Sequence, residues 1–406
     1  MSGVAAEEAA PAAPRERSPV GEFMRRLALG EYGSLRVIVG IAVIWTIFQI
    51  ANDRFLSAVN LSNLVLQITA VATISIGVVL VLLLGEIDLS VGAVSGLAAS
   101  VMAVLSVKEG VAPEIAIVAG LATGALIGLF NGFMVTTFGI PSFVVTLAGL
   151  IGWQGLQLAV LGETGTVNLP DNVITDLTST FFDPAIGWVI AAAVIAAYVG
   201  TVVAARARRV RGGLEAPALT GAAVRVAVVA AAVIVAVAIL NEDRGVPLAA
   251  VIMLSLMAIF AFITERTRYG RHIFAVGGND EAARRAGIRT RRIRITVFTL
   301  ASTLAAAGGI LAASRLLAVN QSSGGSDLLL LAIAGPVIAG TSLFGGRGFV
   351  WSALLGALVI GSISNGIDLL GLESDIRFMI TGGVLLLAVT IDAATRLRRQ
   401  RTGAAT

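Results

Sequence analysis

The apolar positions of this chain fall in long unbroken blocks separated by short polar stretches. The blocks lie near 34–51, 64–84, 89–107, 113–137, 141–161, 184–205, 222–240, 247–263, 295–314, 328–344, 349–367 and 376–395. Most approach the roughly 20 residues that a helix needs to cross a bilayer core of about 30 Å. A membrane barrel would show short segments of alternating polarity instead; these blocks are continuous runs rich in Ala, Leu, Val and Gly. The pattern predicts an all-α polytopic membrane protein with about 12 transmembrane helices, in a range of about 10–14, some of them broken or re-entrant. The break inside 64–107 is short, so a re-entrant segment there is an alternative to two crossings.

Composition supports this reading. Of the 406 residues, 57% are hydrophobic and 13% charged, and the mean hydropathy is +0.92. A water-soluble domain carries about a quarter charged residues, so too little polar surface remains here to face water. The pI near 10.2 invites a nucleic-acid reading, but the arginines sit at the ends of apolar blocks. Arg15, Arg17, Arg25 and Arg26 precede the first block, and Arg206, Arg208, Arg209 and Arg211 follow the sixth. Nine more arginines lie between Arg266 and Arg294, and Arg396, Arg398, Arg399 and Arg401 close the chain. With twelve crossings these four groups share one side, while the loops on the other are acidic or mixed, with Glu163, Asp171, Asp176 and Asp183 in one and Glu242, Asp243 and Arg244 in another. By the positive-inside rule both termini are cytoplasmic. The organisation expected is a disordered cytoplasmic tail over 1–33, a permease domain over 34–395 with a cytoplasmic loop at 264–294, and a cytoplasmic tail over 396–406. The first 20 residues lack the apolar core of a signal peptide.

The chain has no cysteine, which removes disulfides and thiolate metal sites. Its single histidine, His272, lies in the Arg-rich loop, where a solvated residue is the simpler reading than a catalytic one. There is no Walker-type phosphate loop. No cofactor is therefore expected on this chain, and nucleic acid is not an expected partner.

Three stretches carry candidate chemistry. In Gly85-Glu86-Ile87-Asp88-Leu89-Ser90-Val91-Gly92, two carboxylates stand between two apolar blocks. Carboxylates near hydrocarbon need a partner, a pore or a capping role. Asp88 or Ser90 suits the cap of a helix starting near Leu89, and Glu86, Asp88 and Ser90 equally suit the lining of a path beside a discontinuous helix. In the loop 264–294, Asn279 suits a helix N-cap. Asp280 and Glu281 suit its first turn, with Ala282 and Ala283 between them and Arg284 and Arg285 in the last turn. Gly278 and Gly287 flank the segment, Gly287 at the C′ position. A helix of two turns is unstable alone in water, so it needs a surface to dock on, in its own protein or another subunit. The third stretch, Ala339-Gly340-Thr341-Ser342-Leu343-Phe344-Gly345-Gly346, is a Gly-rich break. Polar residues inside the blocks, Gln67, Asn131, Ser142, Thr146, Gln154, Gln157 and Asn365, suit a polar path or interhelical hydrogen bonds. Gly120, Gly124 and Gly128 share one helix face, as close helix packing requires.

Taken in order, Glu86–Gly92, Pro141-Ser142-Phe143 with Thr146–Gly149, the Gly270–Ile288 loop, and Gly340–Leu343 with Gly345-Gly346 resemble the ribose/xylose group of ABC sugar-importer permeases. The resemblance covers about 36–395, and the extra pair of blocks near 222–263 resembles the xylose-type branch. It implies a membrane subunit, dimeric, that carries a monosaccharide, a pentose such as xylose, into the cytoplasm. It implies as partners a cytoplasmic, twin-cassette ATPase that binds ATP and Mg, and an extracytoplasmic sugar-binding protein. The helix near 279–287 would be the coupling helix, and Thr341 and Ser342 would lie on or near the path. The chain departs from the family at Leu329-Leu330-Leu331, where a Glu-Leu-Asp segment is usual, at Ala339 for Gly and at Thr381 for Lys. An ion-coupled secondary transporter using Glu86 and Asp88 is the alternative.

Overall fold

The computed structural model describes residues 33–213 and 219–373, with 375, 376, 379, 380, 382, 383, 386 and 390 beyond them. The predicted N-terminal tail, except Gly33, and the predicted C-terminal tail lie outside the described residues, as do Thr381 and most of the 376–395 block.

The helices are α1 (Gly33–Ala51), α2 (Ala58–Leu83), α3 (Val91–Val107), α4 (Pro113–Phe138) and α5 (Ser142–Leu161), then α6 (Val173–Ser179), α7 (Pro184–Arg211), α8 (Leu219–Asp243) and α9 (Leu248–Arg266). They continue with α10 (Arg268–Gly278), α11 (Asp280–Arg285), α12 (Thr290–Leu316), α13 (Ser326–Ile338) and α14 (Ser352–Leu369). Four short strands, β1 (Thr166–Asn168), β2 (Phe181–Phe182), β3 (Val246–Pro247) and β4 (Ala318–Asn320), form two antiparallel ribbons, β1–β4 and β2–β3. Among the described residues, eight helices are long and apolar enough to cross a membrane, and three shorter apolar helices accompany them.

The helix α2 is apolar on every side, with 83% of its most apolar window buried, as expected of a helix enclosed by others. The long α12 packs along α4, α2 and α3. Small residues allow the close approach: a Cβ on Gly77 would lie 2.7 Å from the Ala301 carbonyl oxygen. Gly120, Gly124 and Gly128 turn to the same interior, against Ala98, Ser302 and Phe298 respectively. In Gly128→Val the added carbons meet Thr299 Cα, 2.7 Å from the Cβ position. Overpacking of this kind costs about 1–3 kcal/mol, so the thermal unfolding midpoint in detergent should fall by several degrees. A midpoint equal to wild type would contradict this packing. By contrast α7 and α8, each with 11% of its window buried, form the outer pair.

Both ribbons stand at one end of the bundle, held there by Leu177 and Phe181 against Leu311 and Ala249. The Arg206–Arg211 turn and the 266–290 region therefore fall at the opposite, arginine-rich end. Two departures from the expected regularity matter. The predicted span 328–344 is only a half-span: α13 has 13 residues, about 20 Å at 1.5 Å per residue. The coil before it enters the bundle from the ribbon end, so that Ser323 faces Gly96 of α3. Likewise α3 has 17 residues, and a non-helical segment, 84–90, joins it to α2. Most of the expected loop 264–294 is also helical, as α10, α11 and the start of α12.

Candidate translocation and coupling site

The non-helical segment 84–90 opens on a turn in which Gly85 has φ +75°, left-handed, and lies against Phe344 and Gly345. Asp88 is 3% exposed. Its Oδ1 accepts from the Ser90 backbone N–H at 2.8 Å and the Ser90 hydroxyl at 2.6 Å, while its Oδ2 is buried without a partner. The buried Asn131 of α4 donates from Nδ2 to Ser90 Oγ at 3.1 Å, and its own Oδ1 is unpartnered. Two hydroxyls of α5 serve the extended backbone: Ser142 Oγ accepts from the Ile87 N–H at 3.3 Å, and Thr146 Oγ1 from the Leu89 N–H at 3.0 Å. Of the two expected caps, Ser90 holds the N-cap position of α3 but its side chain makes no capping hydrogen bond, while Asp88 accepts the N–H of that N-cap residue.

Five candidate path residues, Asp88, Ser90, Asn131, Ser142 and Thr146, thus form one network across α4, α5 and the segment before α3. Trp153 stands beside it, its ring edge-on to Phe130 at 6.0 Å and its Nε1 buried without a partner. Thr146→Val would leave the Leu89 N–H without its acceptor, a loss of about 1–3 kcal/mol for a buried donor. A lowered unfolding midpoint is the expected reading, and an unchanged one would mean that the segment does not depend on α5.

Other candidates lie elsewhere. Asn365 exchanges two hydrogen bonds with Asn60, at 2.8 and 3.0 Å, joining α14 to α2. Thr341 is buried and its hydroxyl meets Ser352 Oγ at 2.7 Å, while Ser342 Oγ accepts from the Phe344 N–H at 3.2 Å. Gln154 is half-buried on α5. Ala339 is fully buried among residues of α1 and α14. Of the Leu329–Leu331 departure, Leu329 is buried and Leu330 exposed.

At the arginine-rich end the three sequence stretches meet. The short α11 has the caps that the sequence foretold. Asn279 Oδ1 accepts from the Ala282 N–H at 2.9 Å. At the other end Gly287 has φ +83°, and the Ile288 N–H reaches the Ala283 carbonyl at 3.0 Å, closing a Schellman turn. Glu281 and Arg285 pair on its exposed face, and only Ala283 is buried. The preceding α10 is amphipathic, with Ile273 and Val276 buried in the core that also contains Leu83, Val297 and Val350. Glycines made α10 look like a loop in the sequence, yet Gly277 is glycine because its Cα abuts the Leu83 carbonyl. That carbonyl accepts from the Gly346 N–H at 3.0 Å, which locks the third stretch to the end of α2. Tyr269 hydrogen-bonds Thr296 at 2.7 Å, and burial raises its phenol above the ordinary tyrosine range.

Arg294, at the start of α12, ties these parts together. Its Nε lies 3.0 Å from Glu86 Oε1 and its Nη1 3.4 Å from Asp280 Oδ2. The Glu86 contact is electrostatic, without a well-aligned hydrogen bond at Nε. One guanidinium therefore bridges the first turn of α11 and the segment that carries Asp88. In the sequence Arg294 is one arginine of nine, and only the fold distinguishes it.

A bundle of long apolar helices, two of them shortened beside buried polar groups, is that of a multi-pass membrane protein. The particular family follows from comparison. Residues 60–389 match the model described as branched-chain amino acid transport system / permease component, and the chain belongs to this family. It is 36% identical over 369 residues to the xylose transport system permease protein of Escherichia coli, covering 90% of this chain and 93% of that protein. Identity to the Haemophilus influenzae protein of the same description is 34%, over 89% of this chain and 96% of that one. The ribose import permease protein of Bacillus subtilis is 31% identical, over 89% and 94%. The resemblance to the ribose/xylose group and its xylose-type branch is thus met. No solved structure matches.

Proposed function

We propose that this chain is the permease subunit of an ATP-binding cassette importer that carries a monosaccharide, a pentose such as xylose, across the bacterial cytoplasmic membrane. ATP and Mg bind a separate cytoplasmic ATPase, a twin-cassette chain, and an extracytoplasmic sugar-binding protein delivers the sugar. The permease works as a homodimer, with about 12 crossings and both termini in the cytoplasm, and its arginine-rich end faces the cytoplasm.

The observation that carries this reading is α11, a capped helix of six residues with only Ala283 buried. So short a helix is poorly stable alone, and its exposed face of Glu281, Ala282, Arg284 and Arg285 fits a groove on a partner. The segment 278–287 acts as the coupling helix. Displacing it pulls Asp280 against Arg294, and Arg294 against Glu86, so that motion reaches the segment bearing Asp88 and Ser90. Asn131, Ser142 and Thr146 receive that segment on α4 and α5, and Gln154, Thr341, Ser342 and Asn365 belong to the wider path. The similarity to xylose and ribose permeases over most of the chain supports the sugar class.

A second reading, an ion-coupled transporter, draws on one observation: Asp88 Oδ2 is buried and unpartnered, as an intramembrane ion site can be. Glu86 favours it less, being paired with Arg294. Co-expression with a cognate ATPase and sugar-binding protein tests the proposal. Labelled xylose uptake should require all three, and unlabelled ribose or galactose in excess should compete less than xylose. Uptake by the permease alone would overturn it.

A further inference from the structure

A cavity of about 300 Å³ opens at the ribbon end, between α2, α3, the end of α12 and the first turn of α13. Its polar edge combines an amide, Gln67, a guanidinium, Arg315, a carboxylate, Asp327, and a hydroxyl, Ser322. Ala70, Val71 and Leu328 supply apolar wall. Arg315 also interacts electrostatically with Asp368 at the end of α14.

We infer that this cavity is a monosaccharide site within the permease itself, open to the side from which sugar arrives. The inference rests on the importer reading above and deepens it. The chemistry is that of a polyol: each sugar hydroxyl both donates and accepts, which suits an amide, a carboxylate and a guanidinium placed together, while the C–H faces suit the apolar wall. The size suits one ring, since ligand pockets begin at about 300 Å³. The position suits transport, because the cavity stands where α13 begins part-way through the bundle, and carriers bind substrate beside discontinuous helices near the bilayer midplane.

Part of the cavity's lining, Gly96, Ser323 and Gly324, is a seam of backbones rather than a wall of side chains. A Cβ on Gly92 would lie 2.8 Å from the Gly324 carbonyl oxygen, and Gly96 abuts Ser323. Gln157, 1% exposed, clamps the same coil by donating to the Asn320 and Ser323 carbonyls, each at 3.0 Å. Gly92 belongs to the first turn of α3, which follows directly on Ser90. Sugar held in the cavity is therefore one glycine contact away from the segment that Arg294 connects to α11, and parting the seam joins the two.

The absence of native cysteine gives a direct test. Ser322→Cys, and separately Leu316→Cys in case the first variant inserts poorly, are expressed with the ATPase and binding protein. Each is labelled in intact cells with a membrane-impermeant maleimide. The expected result is labelling from outside that saturating xylose slows at least about five-fold and osmotically matched sucrose does not. Adding Gln67→Ala should raise the xylose concentration for half-protection by about ten-fold, equivalent to ~1.4 kcal/mol. Labelling that is blind to xylose in cells that still take up xylose with ATP would overturn the cavity as a sugar site and leave the importer reading intact. Absence of ATP-driven xylose uptake in the parent protein would instead remove the importer reading itself. Failure of both cysteines to label from outside would contradict the outward-facing site.

Discussion

Replacing residues 278–287 with a Gly/Ser linker of equal length should abolish co-purification of the cognate ATPase and bring ATP-driven sugar uptake down to background, while the permease still inserts. The effect is large because nearly all of the structure that presents α11 lies within the replaced residues. The Asn279 cap contributes about 1 kcal/mol, and the linker removes it together with the Gly287 turn, the Ala283 anchor and Asp280. A two-turn helix cannot re-form from Gly and Ser. Insertion is spared, because Ile273 and Val276, which fix α10 in the core, lie before the replaced segment. Retained ATPase binding by the linker variant would mean that the ATPase docks elsewhere on this end.

The second large effect concerns Arg294. Arg294→Met should preserve ATPase co-purification, because α11 keeps both caps, but should lower sugar transported per ATP hydrolysed by about ten-fold or more. The side chains of Arg294, Glu86 and Asp280 are 24%, 18% and 35% exposed. The cost of removing the cation therefore falls between about 1 kcal/mol for exposed pairs and about 3–5 kcal/mol for buried ones. Losing even ~1.4 kcal/mol of coupling between the two segments corresponds to a factor of ten. Arg294→Lys should recover part of the loss, since an ammonium keeps the charge but not the two-armed reach. If Arg294→Met hydrolyses ATP and transports sugar in the wild-type ratio, Arg294 is only a structural ion pair.

The residues differ in how visible they are in the sequence. The caps of α11 are local: Asn279, the acids after it, the arginines near its end and Gly287 each act within a few residues, so the spacing sufficed. The apolar blocks were legible for the same reason, as was the face carrying Gly120, Gly124 and Gly128. What escaped notice depends on contacts between distant segments. The helix α10 looked like a loop because Gly270 and Gly277 are poor helix residues; the reason for Gly277 is tertiary, since the Leu83 backbone passes too close for a Cβ, whereas Gly270 fits against the nearby end of α9 at Ile263 and Thr264. The half-span α13 looked like a full one because the block 328–344 runs through the Gly340-Thr341-Ser342 break to Leu343 and Phe344, although residues 339–344 leave the helix. The joining of Asp88 to Asn131, and of Arg294 to Glu86, spans 43 and 208 positions, and no local pattern marks either pair.

The most direct measurement of the central claim is labelled xylose uptake into sealed proteoliposomes containing the permease, the ATPase and the binding protein, comparing enclosed ATP with imposed ion gradients. The account predicts accumulation that requires ATP and the binding protein and persists when ionophores abolish every gradient. Accumulation driven by a proton or sodium gradient without ATP would contradict it, and would make the unpartnered carboxylate oxygen of Asp88 the place to seek the coupling ion.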